Sequence, residues 1–428
     1  MNWVRIFLRN KEVNNAGWLI GGRLAQMILS FFVSVITARF LGPSNYGLIN
    51  YGSAYVAFFT SICTLGINSV IIKDFLERPD EQGKTIGTAI ALRLLSSALS
   101  SLMVICIVSI LDHDEPTTIL VTGLCSVSLI FQVFDTINYW FQSRYESKVT
   151  SIVALIAYCA TSLYKIALLI LNKNVLWFAF ATSVDYICVA ILLFIAYKKK
   201  NGPKLSFSWT KGKQLLNKSY HFILSGMMVA VYAQTDKLML KQMLDEVSVG
   251  YYSLAASLNT MWVFILSAII DSMYPTIMKL YQNNRKQFEK KNKQLYAIVI
   301  YISIAVAICF MFMGKSAIKI LYGDAFVDAA MPLKIICWYT IFSYLGVARN
   351  AWIVCENKQK YLKYMYFSAA IINVVLNMIF IPIMGATGAA LASLITQVCT
   401  SMILPCFWKD MRPNVRLMID AFLLRGIK

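Results

Sequence analysis

The sequence predicts an all-α integral membrane protein with about twelve transmembrane helices. Hydrophobic residues make up 58% of the 428 residues and charged residues only 14%, and the mean hydropathy is +0.62. A soluble domain contains about 25% charged residues. Apolar runs of roughly 20 residues recur along the whole chain, and each is long enough to cross a hydrocarbon core of about 30 Å.

The apolar runs give the predicted spans in chain order. They cover residues 13–40, 46–72, 85–111, 117–141, 149–171, 175–197, 215–240, 248–277, 294–314, 331–355, 361–383 and 386–408. The first span is expected to stay in the mature protein, because Arg5, Arg9 and Lys11 lead into a full-length apolar helix without a small-residue cleavage site.

The longest hydrophilic stretch, residues 197–219, contains Gly202, Pro203 and a cluster of lysines. Such a composition is typical of a linker. It therefore predicts an N-terminal six-helix bundle over residues 1–200 and a C-terminal six-helix bundle over residues 201–428.

The loop charges predict the topology. Every second loop is basic, and these loops contain Lys73, Arg78, Lys84, Arg144, Lys148, Lys198, Lys199, Lys200, Lys204, Lys211, Lys213, Arg285, Lys286, Lys290, Lys291, Lys293, Lys358, Lys360 and Lys363. The loops between them are short and contain few basic residues. The positive-inside rule then places both termini on the cytoplasmic side, and we expect the membrane to be the plasma membrane of a bacterial cell. The net charge of +19 is thus mostly a topology signal that favours anionic membrane lipids, and no nucleic acid is expected as a partner.

Two weak internal similarities relate the two bundles. Residues 40–48 are similar to residues 243–251, and Phe141–Tyr145 occupies the same helix rank as residues 354–358. Because both copies run in the same sense through the membrane, they predict a parallel pseudo-repeat.

Several charged residues lie inside the predicted spans. The cations are Arg23, Arg39, Arg93, Lys165, Lys237, Lys334 and Arg349, and the acids are Asp135, Asp185, Asp236 and Asp271. Each charge near the bilayer centre costs about 2.5–3.5 kcal/mol, so the deeper ones must face protein or water. One interpretation is that they form interhelical pairs or reach the interface. The other is a cationic chamber, which suits an anionic ligand such as a pyrophosphate.

Polar residues also follow helical spacing within these spans, which places them on single helix faces. These stripes are Arg23, Gln26, Ser30, Ser34 and Thr37; Gln132, Asp135, Asn138 and Gln142; Arg93, Ser96 and Ser100; and Asn373 with Asn377. We expect several helices to contribute such a stripe to one interior. Prolines at 275, 332, 382 and 405 predict helix bends or ends.

Two motifs carry a family resemblance. The run Ala38-Arg39-Phe40-Leu41-Gly42-Pro43-Ser44-Asn45-Tyr46-Gly47 resembles the ARxLGPxxYG signature of Wzx-type flippases for O-antigen or capsule repeat units. The runs Thr235–Leu240 and Val249–Ala255 resemble the second-half motif of the same family. This family of polysaccharide biosynthesis proteins is part of the multidrug/oligosaccharidyl-lipid/polysaccharide (MOP) exporter superfamily.

The resemblance implies a V-shaped pair of six-helix bundles around a central cavity. It implies transport of undecaprenyl-pyrophosphate-linked oligosaccharide repeat units from the cytoplasmic to the outer leaflet, with polysaccharide polymerase and glycosyltransferases as partners. By analogy, the pyrophosphate and glycan would bind Arg23, Arg39, Arg93, Lys237, Arg349, Gln26, Asp135, Asn138, Asn373 and Asn377. Residues Arg39 and Asp236 carry over by motif position.

No cofactor, metal or catalytic residue is expected. The acidic run at 112–115 is interpreted as a solvated turn before Pro116. The membrane potential favours export of an anion by about 2.3 kcal/mol per charge per 100 mV, and Asp135, Asp236 or Asp271 is the candidate for coupling to H⁺ or Na⁺.

Two alternatives stay open. A cation-coupled antiporter for drugs or small molecules, from the same superfamily, requires an acidic interior, whereas cations outnumber acids here. A membrane-embedded polysaccharide polymerase or transferase requires a large outer loop or paired acidic motifs, and the sequence contains neither.

Overall fold

The computed structural model describes residues 11–426, which form α-helices joined by short turns and contain no strand. This confirms the predicted all-α class. The two termini, which the loop charges predict to be cytoplasmic, lie outside the described residues together with Arg5 and Arg9. The helices of the first half are α1 (Lys11–Cys63), α2 (Asn68–Glu77), α3 (Gln82–Leu111), α4 (Pro116–Phe131), α5 (Asp135–Ser143), α6 (Ser147–Ile170) and α7 (Val175–Lys199).

The remaining helices begin after the predicted linker. They are α8 (Trp209–Met243), α9 (Glu246–Thr260), α10 (Phe264–Asn283), α11 (Arg285–Tyr322), α12 (Ala330–Ala348), α13 (Asn350–Cys355), α14 (Lys360–Met384), α15 (Ala386–Val398), α16 (Leu404–Phe407) and α17 (Arg412–Phe422). A π-helical turn at Cys399–Ile403 connects α15 to α16.

Nine stretches of the described chain are long and apolar enough to cross a membrane, and ten if the bent pair α9 and α10 counts as one span. Three of the twelve predicted spans have no separate counterpart among these stretches. Helix α8 is not among the nine, and the first two predicted spans form one continuous stretch, Gly21–Cys63. At about 1.5 Å per residue, the 53-residue helix α1 is far longer than one bilayer crossing.

A backbone break divides α1 into two parts. Gly42 has φ 70° and ψ 174°, and Pro43 follows it. A positive φ is readily adopted only by glycine, and proline lacks the amide hydrogen that would continue the helix. The break therefore falls between the predicted spans at 13–40 and 46–72.

The contacts within the chain define two compact units. The first comprises the residues up to Leu41 together with Leu48–Ala230, and the second comprises Gly42–Gly47 and the residues from Val231 onwards. The predicted linker thus packs with the first unit. Lys211, counted above among the loop cations, is buried there: its ammonium lies 2.8 Å from the Asp74 carboxylate and 3.2 Å from that of Glu81.

Helix α3 shows how the first unit packs. Its buried face is polar and small, with Ser97 and Ser101 largely inaccessible, whereas Leu95 and Leu99 are 63% and 55% exposed. The Ser101 hydroxyl lies 2.7 Å from that of Ser126 on α4. Small residues at the helix contacts and large apolar residues outside are typical of membrane helices.

The acidic run at 112–115 was predicted to be a solvated turn, but in the structure one of its residues is buried. Asp112 is buried and accepts a hydrogen bond of 2.8 Å from the Tyr51 hydroxyl, whereas His113, Asp114 and Glu115 are exposed. Asp112 directly follows the last residue of α3, so its hydrogen bond connects the end of α3 to α1. That part of the interpretation was wrong, because a helix end in a membrane protein can pack against a neighbouring helix.

The first pair of similar segments packs within the second unit. A Cβ on Gly47 would lie 1.7 Å from the Glu246 carbonyl oxygen, and a Cβ on Gly250 would lie 2.2 Å from that of Pro43. The contact is reciprocal. Gly47 lies four residues after Pro43, and Gly250 lies four residues after Glu246, so each segment supplies one glycine and one carbonyl oxygen. The Ser44 hydroxyl donates to the Glu246 carboxylate over 3.0 Å.

The second pair of similar segments forms turns of the same kind. Tyr145 and Asn357 both have positive φ, 58° and 55°. In each turn the next amide donates back to the carbonyl five residues earlier, from Glu146 to Phe141 and from Lys358 to Ile353. The geometric match is offset by one residue from the match in the sequence.

Candidate functional site

The best-defined polar site in the second unit surrounds Asp236 of α8, which is 3% exposed. Its Oδ1 accepts hydrogen bonds of 3.1 Å from Asn373 and 2.7 Å from Asn377. Its Oδ2 accepts bonds from Ser393 and from the Tyr252 hydroxyl. Four donors on α9, α14 and α15 thus satisfy one buried carboxylate, which would otherwise be very costly in this setting.

The spacing of the two asparagines explains how they reach the same oxygen. Asn373 and Asn377 are one turn apart on α14, so their side chains project from one face. Both are fully buried, and the Asn377 amide also donates to the Asn373 side-chain oxygen over 3.1 Å. The predicted pair therefore lies together, with Asp236 as its partner.

A cavity of about 220 Å³ adjoins this cluster within the second unit. Its polar lining residues are Tyr232, Asp236, Lys237, Tyr252, Asn259, Thr260, Tyr339 and Ser393. Pockets for drug-sized ligands are about 300–1,000 Å³, so this one suits a small charged group rather than an oligosaccharide. Lys237 is half-buried, and its ammonium makes no ion pair with a carboxylate of the described chain.

A second layer of hydrogen bonds surrounds the cavity. The Gln397 amide donates to the hydroxyls of Tyr232 and Tyr339, and the Asn259 amide donates to Thr340 over 2.7 Å. These residues, with Tyr252 and Ser393, were not predicted as site residues. Gln397 lies inside an apolar span, and that position was a usable signal.

Arg349 hydrogen-bonds to the backbone of the π-helical turn Cys399–Ile403. Its guanidinium is buried and donates to the carbonyl oxygens of Thr400 and Ser401, at 3.2 and 3.3 Å. Pro405 has no amide hydrogen, so it cannot donate to the carbonyl four residues earlier in an α-helix or five residues earlier in a π-turn. Arg349 supplies the missing donors, and its described contacts are with backbone oxygens.

The first unit has its own polar cluster around Arg93, which is 1% exposed. Its guanidinium donates to Thr136 Oγ1 at 2.8 Å and to the Gln132 carbonyl at 3.2 Å. That carbonyl belongs to the 3₁₀ turn Gln132–Phe134, which precedes α5, and it also accepts a hydrogen bond from the Asp135 amide. Asp135, which is partly buried, is close enough to interact electrostatically with Arg93.

The other predicted residues are more scattered. Arg23 and Arg39 on α1 and Asp271 on α10 are exposed, whereas Gln26 and Asn138 are half-buried. Thus Asp236, Lys237, Asn373 and Asn377 lie together in the second unit, and Arg93 and Asp135 lie together in the first. Their roles in binding stay predictions.

Comparisons with known proteins agree on family and fold. A model of the family described as "Polysaccharide biosynthesis protein" matches residues 36–331. The capsular polysaccharide biosynthesis protein CapF of Staphylococcus aureus is 20% identical over 397 residues, which cover 90% of this chain and 96% of CapF.

Solved structures with similar folds are membrane transporters. Lipid II flippase MurJ in an inward closed conformation gives a TM-score of 0.68 at 14% identity, covering 96% of this chain and 91% of MurJ. An inward-facing multidrug resistance MATE family transporter of the MOP superfamily gives 0.66 at 13% identity, covering 93% of this chain and 94% of the transporter. The chain is therefore a multi-pass membrane protein that belongs to the polysaccharide biosynthesis protein family and has the fold of MOP-superfamily transporters.

Proposed function

We propose that the protein is a flippase that moves undecaprenyl-pyrophosphate-linked oligosaccharide repeat units from the cytoplasmic to the outer leaflet by alternating access. Membership of a polysaccharide biosynthesis family and a transporter fold support this assignment. The observation that carries it is the cavity beside Lys237, a polar space lined by a half-buried cation that has no carboxylate partner among the described residues. The protein acts as a carrier and not as an enzyme.

In this proposal Lys237 binds the pyrophosphate. The neighbouring Asp236 carboxylate is already satisfied by four neutral donors, which leaves the Lys237 ammonium to pair with a ligand. An ammonium and a phosphate oxygen form a charge-assisted hydrogen bond, which is strong where water is scarce. The tyrosine hydroxyls of the lining are suited to the first sugar, and the rest of the glycan lies outside this small cavity.

The membrane potential drives export in this scheme, because an anion leaving a negative cytoplasm gains about 2.3 kcal/mol per charge per 100 mV. A pyrophosphate carries more than one negative charge. Asp135, Asp236 and Asp271 then do not need to bind H⁺ or Na⁺ to drive transport. Replacing the potential with a proton or sodium gradient in proteoliposomes distinguishes the energy sources.

The test is complementation of a gene deletion. Loss of the protein should leave lipid-linked repeat units at the cytoplasmic face, and wild-type protein should restore export. Lys237→Ala should slow export about tenfold or more, since a hydrogen bond to a charged group contributes about 1.5–3 kcal/mol. Lys237→Arg keeps the positive charge and should retain export. The control is Lys319→Ala, which alters an exposed residue paired with Asp324 and should export as the wild type does.

Two outcomes would contradict the proposal. Full export by Lys237→Ala would remove the pyrophosphate role of this residue. Normal repeat-unit export in the deletion strain, together with increased sensitivity to cationic drugs, would instead favour the alternative, a cation-coupled antiporter.

A further inference from the structure

A second charged cavity lies at the basic end of the second unit, away from Asp236. It measures about 400 Å³ and lies between the first turns of α11 and helix α17. Its cationic lining residues are Arg285, Lys293, Lys409, Arg412 and Arg416, and its acids are Glu289 and Asp420. The loop charges predict that this end faces the cytoplasm.

The local ion pairs leave a positive excess in this basic cavity. Arg285 pairs with Glu289 and Glu356, and the Lys293 ammonium lies 2.7 Å from Asp420. The other three cations, Lys409, Arg412 and Arg416, make no ion pair with a carboxylate of residues 11–426. All three are exposed. Three unneutralised cations around one cavity suit an anionic group such as a phosphodiester.

An apolar cavity of about 450 Å³ lies along the neighbouring face of α17. Its lining includes Ile300, Ile304, Met418, Ile419, Phe422 and Leu423. The charged residues of α17 that line the basic cavity are Arg412, Arg416 and Asp420, so the same eleven-residue helix contributes to both cavities. The two faces adjoin, because Arg416 of the basic cavity and Ile419 of the apolar cavity are three residues apart and are therefore neighbours on the helix surface.

Helix α11 sets the relative depth of the two cavities. Its residues Arg285, Glu289 and Lys293 line the basic cavity, and Ile300 and Ile304 line the apolar one. At 1.5 Å per residue, the isoleucines lie about 10–17 Å beyond Lys293 along the helix. Half of a bilayer core is about 15 Å thick, so the pair of cavities matches a lipid headgroup above its acyl chain.

Two hydrogen bonds fix helix α17 against α11. The Asn414 amide donates to the Tyr296 hydroxyl over 2.7 Å, and the Tyr301 hydroxyl donates to the Phe422 carbonyl over 2.9 Å. Its arginines are exposed on one side, and the exposed Ile419 and Phe422 lie on another. A charged face beside an apolar face is typical of helices that lie in a membrane interface.

We propose that these two cavities bind one anionic phospholipid of the leaflet at the basic end. Its phosphate lies against Lys409, Arg412 and Arg416, and one acyl chain lies along Ile300 and Ile304. The site is separate from the cavity at Lys237, and the inference does not depend on which solute is transported.

Binding is measured directly on the full-length protein in neutral detergent, by titration with phosphatidylglycerol and native mass spectrometry. Phosphatidylglycerol should bind more tightly than phosphatidylcholine. The double variant Arg412→Ala/Arg416→Ala should weaken phosphatidylglycerol binding about thirtyfold, since each cation near a membrane surface contributes about fivefold. The matched control Lys198→Ala/Lys199→Ala removes two exposed cations from the first unit and should leave binding unchanged.

The apolar half has its own test. Ile304→Trp should occupy the apolar cavity and weaken phosphatidylglycerol binding, without changing the weak binding of soluble glycerol phosphate. Arg412→Lys/Arg416→Lys keeps the charge and should retain most of the affinity, which separates charge loss from misfolding.

Three results would overturn the proposal. Phosphatidylglycerol binding by Arg412→Ala/Arg416→Ala at wild-type affinity would remove the headgroup site. Glycerol phosphate binding as tightly as the lipid would make it a site for free phosphate. Tighter binding of undecaprenyl pyrophosphate than of phosphatidylglycerol would make it a docking site for the transported lipid.

Discussion

Gly47 and Gly250 hold each other's segments in contact, because each lies where any side chain would meet a backbone carbonyl. The hypothetical Cβ distances, 1.7 Å to Glu246 and 2.2 Å to Pro43, are far below van der Waals contact. Backbone atoms cannot move aside as a flexible side chain can. The glycine of the sequence signature is thus required for packing within the second unit.

We therefore predict that Gly47→Ala and Gly250→Ala destabilise the protein. Overpacking usually costs about 1–3 kcal/mol, and contact with backbone places these variants at the upper end. Thermal unfolding in detergent should show a clear decrease in Tm. The matched control is Gly123→Ala on α4, whose nearest neighbour would be Ile105 Cγ1 at 3.8 Å.

Gly123→Ala should leave Tm unchanged or raise it, because alanine favours a helix over glycine by about 1 kcal/mol. Equal Tm values for Gly47→Ala, Gly123→Ala and the wild type would show that the two signature segments do not pack as described.

A second prediction concerns the buried ion pair of the linker. Lys211→Ala removes the cation that neutralises Asp74, which is 4% exposed. Leaving a buried charge unpaired costs about 3–5 kcal/mol, so this variant should unfold at a much lower temperature. Lys213→Ala, two residues away and exposed, is the control and should behave as wild type.

The contribution of the ion pair itself is separated by Lys211→Ala/Asp74→Asn. Removing both charges should recover part of the lost Tm, because no carboxylate then remains unpaired. A double variant less stable than Lys211→Ala would contradict this assignment.

A third prediction couples Arg349 to Pro405. Arg349→Ala alone leaves the carbonyls of Thr400 and Ser401 without their guanidinium donor and should lower Tm, since an unsatisfied buried polar group costs about 1–3 kcal/mol. In Pro405→Ala the new amide hydrogen can donate to one of these oxygens. The loss from Arg349→Ala should therefore be smaller in the Pro405→Ala background.

A double-mutant cycle on Tm or on urea unfolding measures this coupling. Additive losses would mean that Arg349 acts elsewhere, for example as the ligand contact that the sequence predicted. Export assays on Arg349→Lys then address that role directly.

A fourth prediction follows from Lys358 and Asp410, which lie in loops outside the apolar spans. Hydrogen bonds from Lys358, 3.0 Å away, and from Tyr361 lower the pKa of Asp410 below its usual value. The hydrogen bond to Asp410 raises the pKa of Lys358. The stabilisation from Asp410 is present above its ordinary pKa near 3.9 and is lost as the pH falls through the lowered one.

At the alkaline end the stabilisation from Lys358 is complete below its ordinary pKa near 10.4 and is lost as the pH rises through the raised one. The Tm difference between wild type and Asp410→Asn should thus be constant from about pH 5 to 9 and decrease beyond both ends. A difference that changes between pH 6 and 8 would point to another titrating group.

Much of the fold was predictable because span length and hydropathy depend on residues close together in sequence. The break at Gly42 falls between two predicted spans, and the spacing of Asn373 and Asn377 placed both on one face. The partners of Asp236 were not predictable, since they come from three helices far apart along the chain. Lys211 was read as a loop cation because composition alone does not show burial.

The site was predicted in part, for a related reason. An intramembrane charge is visible in the sequence, but its partner is not. Arg349 illustrates this, because its backbone acceptors depend on a proline more than fifty residues later. Lys237 and Asp236 lie side by side in sequence and were easier to place together.

The arrangement of residues on α3 has a consequence for handling this protein outside a bilayer. Small and polar residues such as Ser97 and Ser101 make many of its interior contacts, and leucines make up much of its outer surface, so different residues of this helix determine its solubility and its packing. Replacing Leu95, Leu99 and the outward-facing apolar residues of other helices with glutamine should make the outer surface polar and preserve the internal contacts. The solvent that surrounds α3 is therefore determined by its outward-facing residues, whereas its position in the fold is determined by its buried ones.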